Sequence, residues 1–354
     1  MNFVGRAEII ESIQSRIAID QMSLCVVYGP HRSGKSYVAS QLVRRHKALY
    51  LAGRMANEGI HVADMNRALE ARFVPTDEQD KFEPITNLQE AFEGLFESSV
   101  KTPQTVVIDD YPSLVEAVPQ FPIHLRDLLE AYQETSHLNI ILMANGLEQL
   151  DGRIIGDRSL IGPYVSEYFE VKPFSLVDMK SLGLHYAKDD LRTVFAVTGG
   201  LPAYVQYFDN GESIDTNIIN LFFSVSGALF EETQHILHRD MKNITGANAI
   251  LSGLATLERP YYVELLQASQ IKSGTFTSRL NDLMAMGLVG RIQANSRGPA
   301  KYADYHFTNS MFHFWYRYVY KYWGDIVRGN GADVYQTYVK PQLKDFVEAS
   351  CIAM

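Results

Sequence analysis

Gly29-Pro30-His31-Arg32-Ser33-Gly34-Lys35-Ser36 is the stretch that decides how this chain is read. It fits Gly-x-x-x-x-Gly-Lys-Ser/Thr, and each fixed position answers a physical demand. Gly34 lets the backbone curl so that successive N–H groups point at phosphate oxygens. The helix that follows adds its N-terminal dipole to the same anion. Lys35 brings a cation to the β and γ phosphates, and Ser36 brings a hydroxyl ligand for Mg2+. Gly29, His31, Arg32, Ser33 and Tyr37 complete the expected phosphate-binding set. The bare pattern also occurs as a structural glycine turn. Here Leu24–Tyr28 before it is an apolar run of strand type. Ser36–Arg45 after it carries Val38, Leu42 and Val43 on one helical face. That context favours a nucleoside triphosphate with Mg2+. ATP is preferred to GTP because no Asn-Lys-x-Asp segment is found.

Outward from this loop, short apolar runs alternate with helical stretches. Ala48–Leu51, Thr105–Asp109, Asn139–Ala144 and Tyr168–Val171 read as further strands. Buried strands separated by helices predict a parallel sheet covered on both faces, an α/β core. Strand signals stop near residue 175. Leu176 to about Arg239 reads as helical, broken at Gly199-Gly200-Leu201-Pro202 and at Asp209-Asn210-Gly211. Helices are then expected over Ala247–Leu257, from Pro260, and from Ser273 to Met286. Strands Leu288–Ile292 and Tyr302–Phe307 follow, around a polar loop, Asn295–Pro299. Helix-helix-helix-strand-strand is the order of a winged helix-turn-helix. The fold class is therefore a P-loop NTPase core with a parallel sheet, then a helical lid and a winged-helix domain. The expected boundaries are 1–175 for the core, 176–240 for the lid, 241–325 for the winged helix and 326–354 for a tail.

Thr105-Val106-Val107-Ile108-Asp109-Asp110 is an apolar strand ending in acid. Strand C-termini in such sheets converge on the ligand crevice. Asp109 is thus expected to hold Mg2+ together with Ser36, directly or through water. Asp110 would stand near the attacking water as general base, although a Glu is commoner in that role. Read alone, the two acids are equally a polar strand end or a helix cap. Asn145 either orients the water or serves as a turn residue before Gly146. Lys272, Thr275 and Arg279 decorate the expected recognition helix, as side chains reaching DNA phosphates and base edges would. Arg297 and Lys301 could add to them from the wing. The alternative is a winged helix used for packing or for a protein partner. The aromatic run Phe312–Trp323 suits core packing better than nucleic-acid stacking, although Arg317 and Lys321 are interleaved in it.

Taken in order, these segments resemble the archaeal-type P-loop ATPases, which also occur in bacteria and are related to the AAA+ and STAND classes. The resemblance is carried by Phe3-Val4-Gly5-Arg6-Ala7-Glu8, Gly29–Ser36 and Ile108-Asp109-Asp110-Tyr111-Pro112. It continues through Gly199-Gly200-Leu201-Pro202-Ala203-Tyr204, Asn217–Phe223, Leu229–Glu232 and Phe314–Tyr318. It implies that Val4, Gly5 and Arg6 lie beside the adenine and that Pro202 packs on it, with ATP or ADP as ligand. Two departures stand out. Many relatives carry Gly-Arg where this chain has Gly162-Pro163, so an arginine that senses the γ-phosphate is missing there. Arg153 and Arg158 are the nearby substitutes. Many relatives also continue into a nuclease-like domain. The tail after Val339 is read as the start of such a domain, and no nuclease site is expected in this chain.

Composition narrows the partners. At 354 residues, roughly two or three domains are expected. Cys25 and Cys351 are the only cysteines and lie at opposite ends, which fits a reducing cytoplasm rather than a disulfide framework. No apolar run approaches the ~18 residues of a membrane span, and no secretory leader is expected. Net charge is −9, against a wholly nucleic-acid-binding surface. Yet residues 1–239 hold 20 Lys and Arg against 32 Asp and Glu, whereas residues 240–354 hold 12 against 9. Two functions follow. One is a slowly hydrolysing, nucleotide-driven switch. The other is a double-stranded-DNA-binding regulator in which nucleotide is mainly structural. A scaffold holding ADP is a third. Oligomeric state is not legible.

Overall fold

The computed structural model describes residues 6–73, 81–146, 159–180, 182–241, 243–258, 260–292 and 303–352. It divides at Lys172 and Pro173 into two compact units.

The first unit alternates helix and strand: α1 (Ala7–Ile17), β1 (Ser23–Tyr28), α2 (Lys35–His46), β2 (Leu49–Ala52), α3 (Glu58–Glu70), α4 (Leu88–Ser99), β3 (Gln104–Asp109), α5 (Tyr111–Ala117), α6 (Phe121–Ala131), β4 (Leu138–Ala144) and β5 (Val165–Glu170). The five strands are all parallel, in the order β2-β3-β4-β1-β5. Successive side chains of a strand face opposite ways, and the burial follows. Leu24 and Val26 join Val106, Ile108, Ile140 and Leu142 in a core with Phe92, Phe96 and Leu125. Cys25 and Val27 join Val107, Ile141 and Met143 in a second core beneath Ile13 of α1 and Val38 and Leu42 of α2. Both faces of the central strands β1, β3 and β4 are therefore dry, which is why those strands are largely apolar runs, whereas the edge strands β2 and β5 carry exposed residues. Each fully buried Leu or Val there contributes roughly 1.5–3 kcal/mol. Helix starts are marked locally. Asn57 and Asn87 accept hydrogen bonds from Ile60 N and Glu90 N, capping α3 and α4.

The second unit is mostly helical: α7 (Leu176–Lys180), α8 (Lys188–Thr198), α9 (Pro202–Val205), α10 (Ile214–Phe222), α11 (Glu232–Asp240), α12 (Thr245–Thr256), α13 (Tyr262–Ser269) and α14 (Ser273–Ala285). The antiparallel pair β6 (Val289–Ile292) and β7 (Asp304–Phe307) follows, so α12 to β7 has the winged-helix order. From Ser310 the chain is helical to Ile352 apart from a kink at Gly329, φ 90°.

Residues 326–352, expected as a tail, are helical instead. Ile326, Val334, Tyr335, Val339, Phe346 and Val347 are buried in the same core as Phe222 of α10 and Leu251 of α12. Asp215 ties them down: it accepts hydrogen bonds from Tyr335 Oη at 2.6 Å and Lys340 Nζ at 2.5 Å. One hydrophobic core thus runs from Phe174 to Val347, without a break between the expected lid and winged helix. Among the described residues, no helix is long and apolar enough to cross a membrane.

Candidate nucleotide-binding site

All five strands point the same way, so Tyr28, Ala52, Asp109 and Ala144 end at one edge of the sheet. The register pairs Tyr28 with Ala144 and Ala52 with Asp109. The loop Gly29–Gly34 leaves that edge and enters α2. Gly34 takes φ 97° and ψ 17°, a left-handed conformation that costs a glycine little. As a glycine it has no side chain with which to cap the first turn of α2. Lys35 Nζ donates to the carbonyls of Gly29 at 2.8 Å and Pro30 at 2.9 Å. Its ammonium is nearly buried, held over the loop by two neutral oxygens. An anionic phosphate oxygen is a stronger acceptor than either of them.

Ser36 Oγ donates to Asp109 Oδ2 at 3.3 Å, and Tyr50 Oη donates to the same oxygen at 2.9 Å. The chain turns sharply after β3. Asp110 adopts φ 54° and ψ 52°, and its Oδ2 accepts from Ser113 Oγ at 2.9 Å. Gly53 abuts this turn: its N–H donates to Asp109 O at 2.6 Å, and a Cβ there would meet Asp110 O at 2.1 Å. Asn145 follows β4 at the same sheet edge. A hydroxyl and a carboxylate are hard oxygen donors of the type Mg2+ takes. That ion binds proteins through one or two such groups and fills its octahedron with phosphate oxygens and water. Among the described residues no cluster of three or more His, Cys, Asp or Glu could hold a metal ion. Ser36 and Asp109 are donors of the kind that fits an ion arriving with its nucleotide.

Arg6, expected beside the adenine, has defined partners at the phosphate loop. Its Nη2 donates to Ser33 O and to Lys172 O, both at 2.6 Å, and the residue is buried. The guanidinium braces the phosphate loop against the end of the sheet. Val4, Gly5, Arg153 and Arg158 lie outside the described residues. Cys25 is no reactive thiol: burial pushes it up to about 11.

Residues 3–208 match the family described as an ATPase domain predominantly from Archaea, which is more than half of the chain. The chain belongs to this family. An uncharacterised protein of Methanocaldococcus jannaschii is 18% identical over 205 residues, covering 58% of this chain and 43% of that protein. The chain thus spans less than half the length of this curated relative. The fold is that of the Walker-type ATPase of Pyrococcus abyssi, with TM-score 0.65 and 16% identity over 89% of this chain and 96% of that one. The ORC2 protein of Aeropyrum pernix, solved as ADPNP–ADP complexes, follows at TM-score 0.50 and 11% identity, covering 92% of this chain and 95% of that one.

In the second unit of this archaeal-type ATPase, Pro202 is buried as the first residue of α9, where its missing N–H is harmless. Lys272 precedes α14 and is exposed, as is Thr275 on its first turn. Arg279 is engaged already: Nη1 lies 2.8 Å from Asp282 Oδ2 on the same helix. The helix therefore offers DNA less free cationic charge than its sequence suggests. Arg297 and Lys301 lie outside the described residues. Phe312, Phe314, Trp315, Tyr316 and Tyr318 are buried, and Trp315 Nε1 donates to Phe230 O at 2.8 Å. The aromatic run is core.

Tyr50 is the site residue that sequence reasoning missed. The local sequence shows its face of the sheet but not its partner, Asp109. In Leu49-Tyr50-Leu51 a large polar-tipped aromatic alternates with apolar residues on a strand, which turns it to the opposite face.

Proposed function

We propose that this protein binds ATP with Mg2+ at Gly29–Ser36, hydrolyses it slowly, and uses the difference between ATP and ADP states to change the conformation of its helical, winged-helix unit. The observation that carries the reading is the convergence of Lys35, Ser36 and Asp109 at one sheet edge, with Ser36 and Asp109 in hydrogen-bond contact. Lys35 would leave two loop carbonyls for the β and γ phosphates. Ser36 and Asp109 would hold the magnesium ion, which supplies charge neutralisation for phosphoryl transfer. Asp110 would take the proton of the attacking water. Asp is one methylene shorter than the commoner Glu and here bonds Ser113, so slow turnover is expected.

The test of the switch is limited proteolysis or hydrogen exchange of the wild type with ADP and with a non-hydrolysable ATP analogue. A difference within residues 173–352 supports it. Identical protection there with both nucleotides, each bound, contradicts it.

The second reading, a regulator that binds double-stranded DNA, is favoured by exposed Lys272 and Thr275, just before and on the first turn of the third helix of the winged-helix order. Its signature is salt-dependent duplex binding weakened by Lys272→Ala. No binding at low salt, with or without ATP, removes it.

A further inference from the structure

Tyr50 sits on β2, an edge strand of the sheet. Its register is Tyr50 opposite Val107 and Ala52 opposite Asp109. Residues two apart share a face, so Tyr50, Ala52, Val107 and Asp109 line the face that α2 covers. Leu49 and Leu51 are 2% and 0% exposed on the opposite face, whereas Tyr50 is 39% exposed. Packing alone gives little reason for a large aromatic there. Its hydroxyl has a definite task, the 2.9 Å bond to Asp109 Oδ2.

We propose that Tyr50 is a positioning residue for the magnesium site: its phenol O–H holds the Asp109 carboxylate in the rotamer that faces Ser36. The inference rests on the nucleotide reading above. A phenol has a single O–H to donate, so it engages one lone pair and leaves the other carboxylate oxygen free for the ion or its water. Ser36 reaches the same oxygen at 3.3 Å, a longer and weaker bond, so Tyr50 is the stronger of the two restraints. A carboxylate restrained in this way does not have to be ordered when the ion arrives. Outer partners of this kind typically set metal affinity.

The test is Tyr50→Phe, which keeps the ring and removes only the hydroxyl. A fluorescent ADP analogue is titrated into wild type and variant across a series of Mg2+ concentrations. Without Mg2+ the two should bind it equally. The Mg2+ concentration that half-saturates the Mg2+-dependent tightening should rise about 10-fold in the variant. An unchanged Mg2+ requirement would overturn the proposal. So would an equal loss of affinity with and without Mg2+, which marks a nucleotide contact or a packing defect. Wild-type protein that binds no nucleotide at all would instead overturn the nucleotide reading, and this inference with it.

Discussion

Asp110 combines two properties that its neighbours do not share: an acid side chain at the sheet edge and a left-handed backbone, φ 54°. Asn is among the few residues that tolerate that backbone, so Asp110→Asn changes the charge and little else. If Asp110 is the general base, nucleotide affinity should be unchanged and turnover should fall about 100-fold or more. Single-turnover hydrolysis alongside equilibrium binding separates the two. Gly53, just after β2, supports the same turn. An alanine there would drive its Cβ to 2.1 Å from Asp110 O, closer than any real contact. Gly53→Ala should destabilise the first unit by about 1–3 kcal/mol, as overpacked sites do, read as a lower denaturation midpoint. The phosphate loop and Asp109 were legible because their chemistry fixes residue type and spacing. Tyr50 and the brace by Arg6 were not. Both depend on pairing distant segments, 50 with 109 and 6 with 172, which no local pattern encodes.

At the scale of elements, apolar runs placed every strand of the large sheet to within a few residues, most closely the central β1, β3 and β4, where burial on both faces leaves no polar alternation to misread. The C-terminal helices were missed for the opposite reason. Their buried residues Ile326, Val334, Tyr335 and Val339 are separated by polar ones. The chain also passes through π turns at Trp315–Val319 and Tyr335–Val339, which shift the buried face away from a regular helical period. His313, on α15 (Ser310–Phe314), reports on this region. It stacks on Phe307 at 5.2 Å between centroids and meets Phe346 edge-on at 5.1 Å. Burial, with a further contribution from Arg317, pushes it down to about 4. An unfolded histidine titrates near ~6.5, so between the two values the unfolded chain binds the extra proton. Stability from this group is complete above about pH 6.5 and is lost as pH falls towards about 4, by up to ~3 kcal/mol. Denaturation across that range should show the loss in wild type and a much smaller one in His313→Phe.

For the whole molecule, the formal charge of −9 hides an uneven split, with the excess of acid before residue 240. An acidic chain that still binds a triphosphate must do so through local groups, here Lys35 and the α2 N-terminus, rather than through its general field. The division at Lys172 separates the phosphate loop and both acids from the winged-helix order. A nucleotide signal would therefore have to be read in one unit and expressed in the other. ATP binding by the loop comes first, since hydrolysis and switching both require it. Isothermal titration of ATP with Mg2+ into the wild type and Lys35→Ala measures it directly. Saturable binding to the wild type is expected, weakened about 10- to 100-fold in the variant, as loss of a charge-assisted hydrogen bond implies. A wild type that takes up no ATP, or a Lys35→Ala variant that binds it equally well, would contradict it.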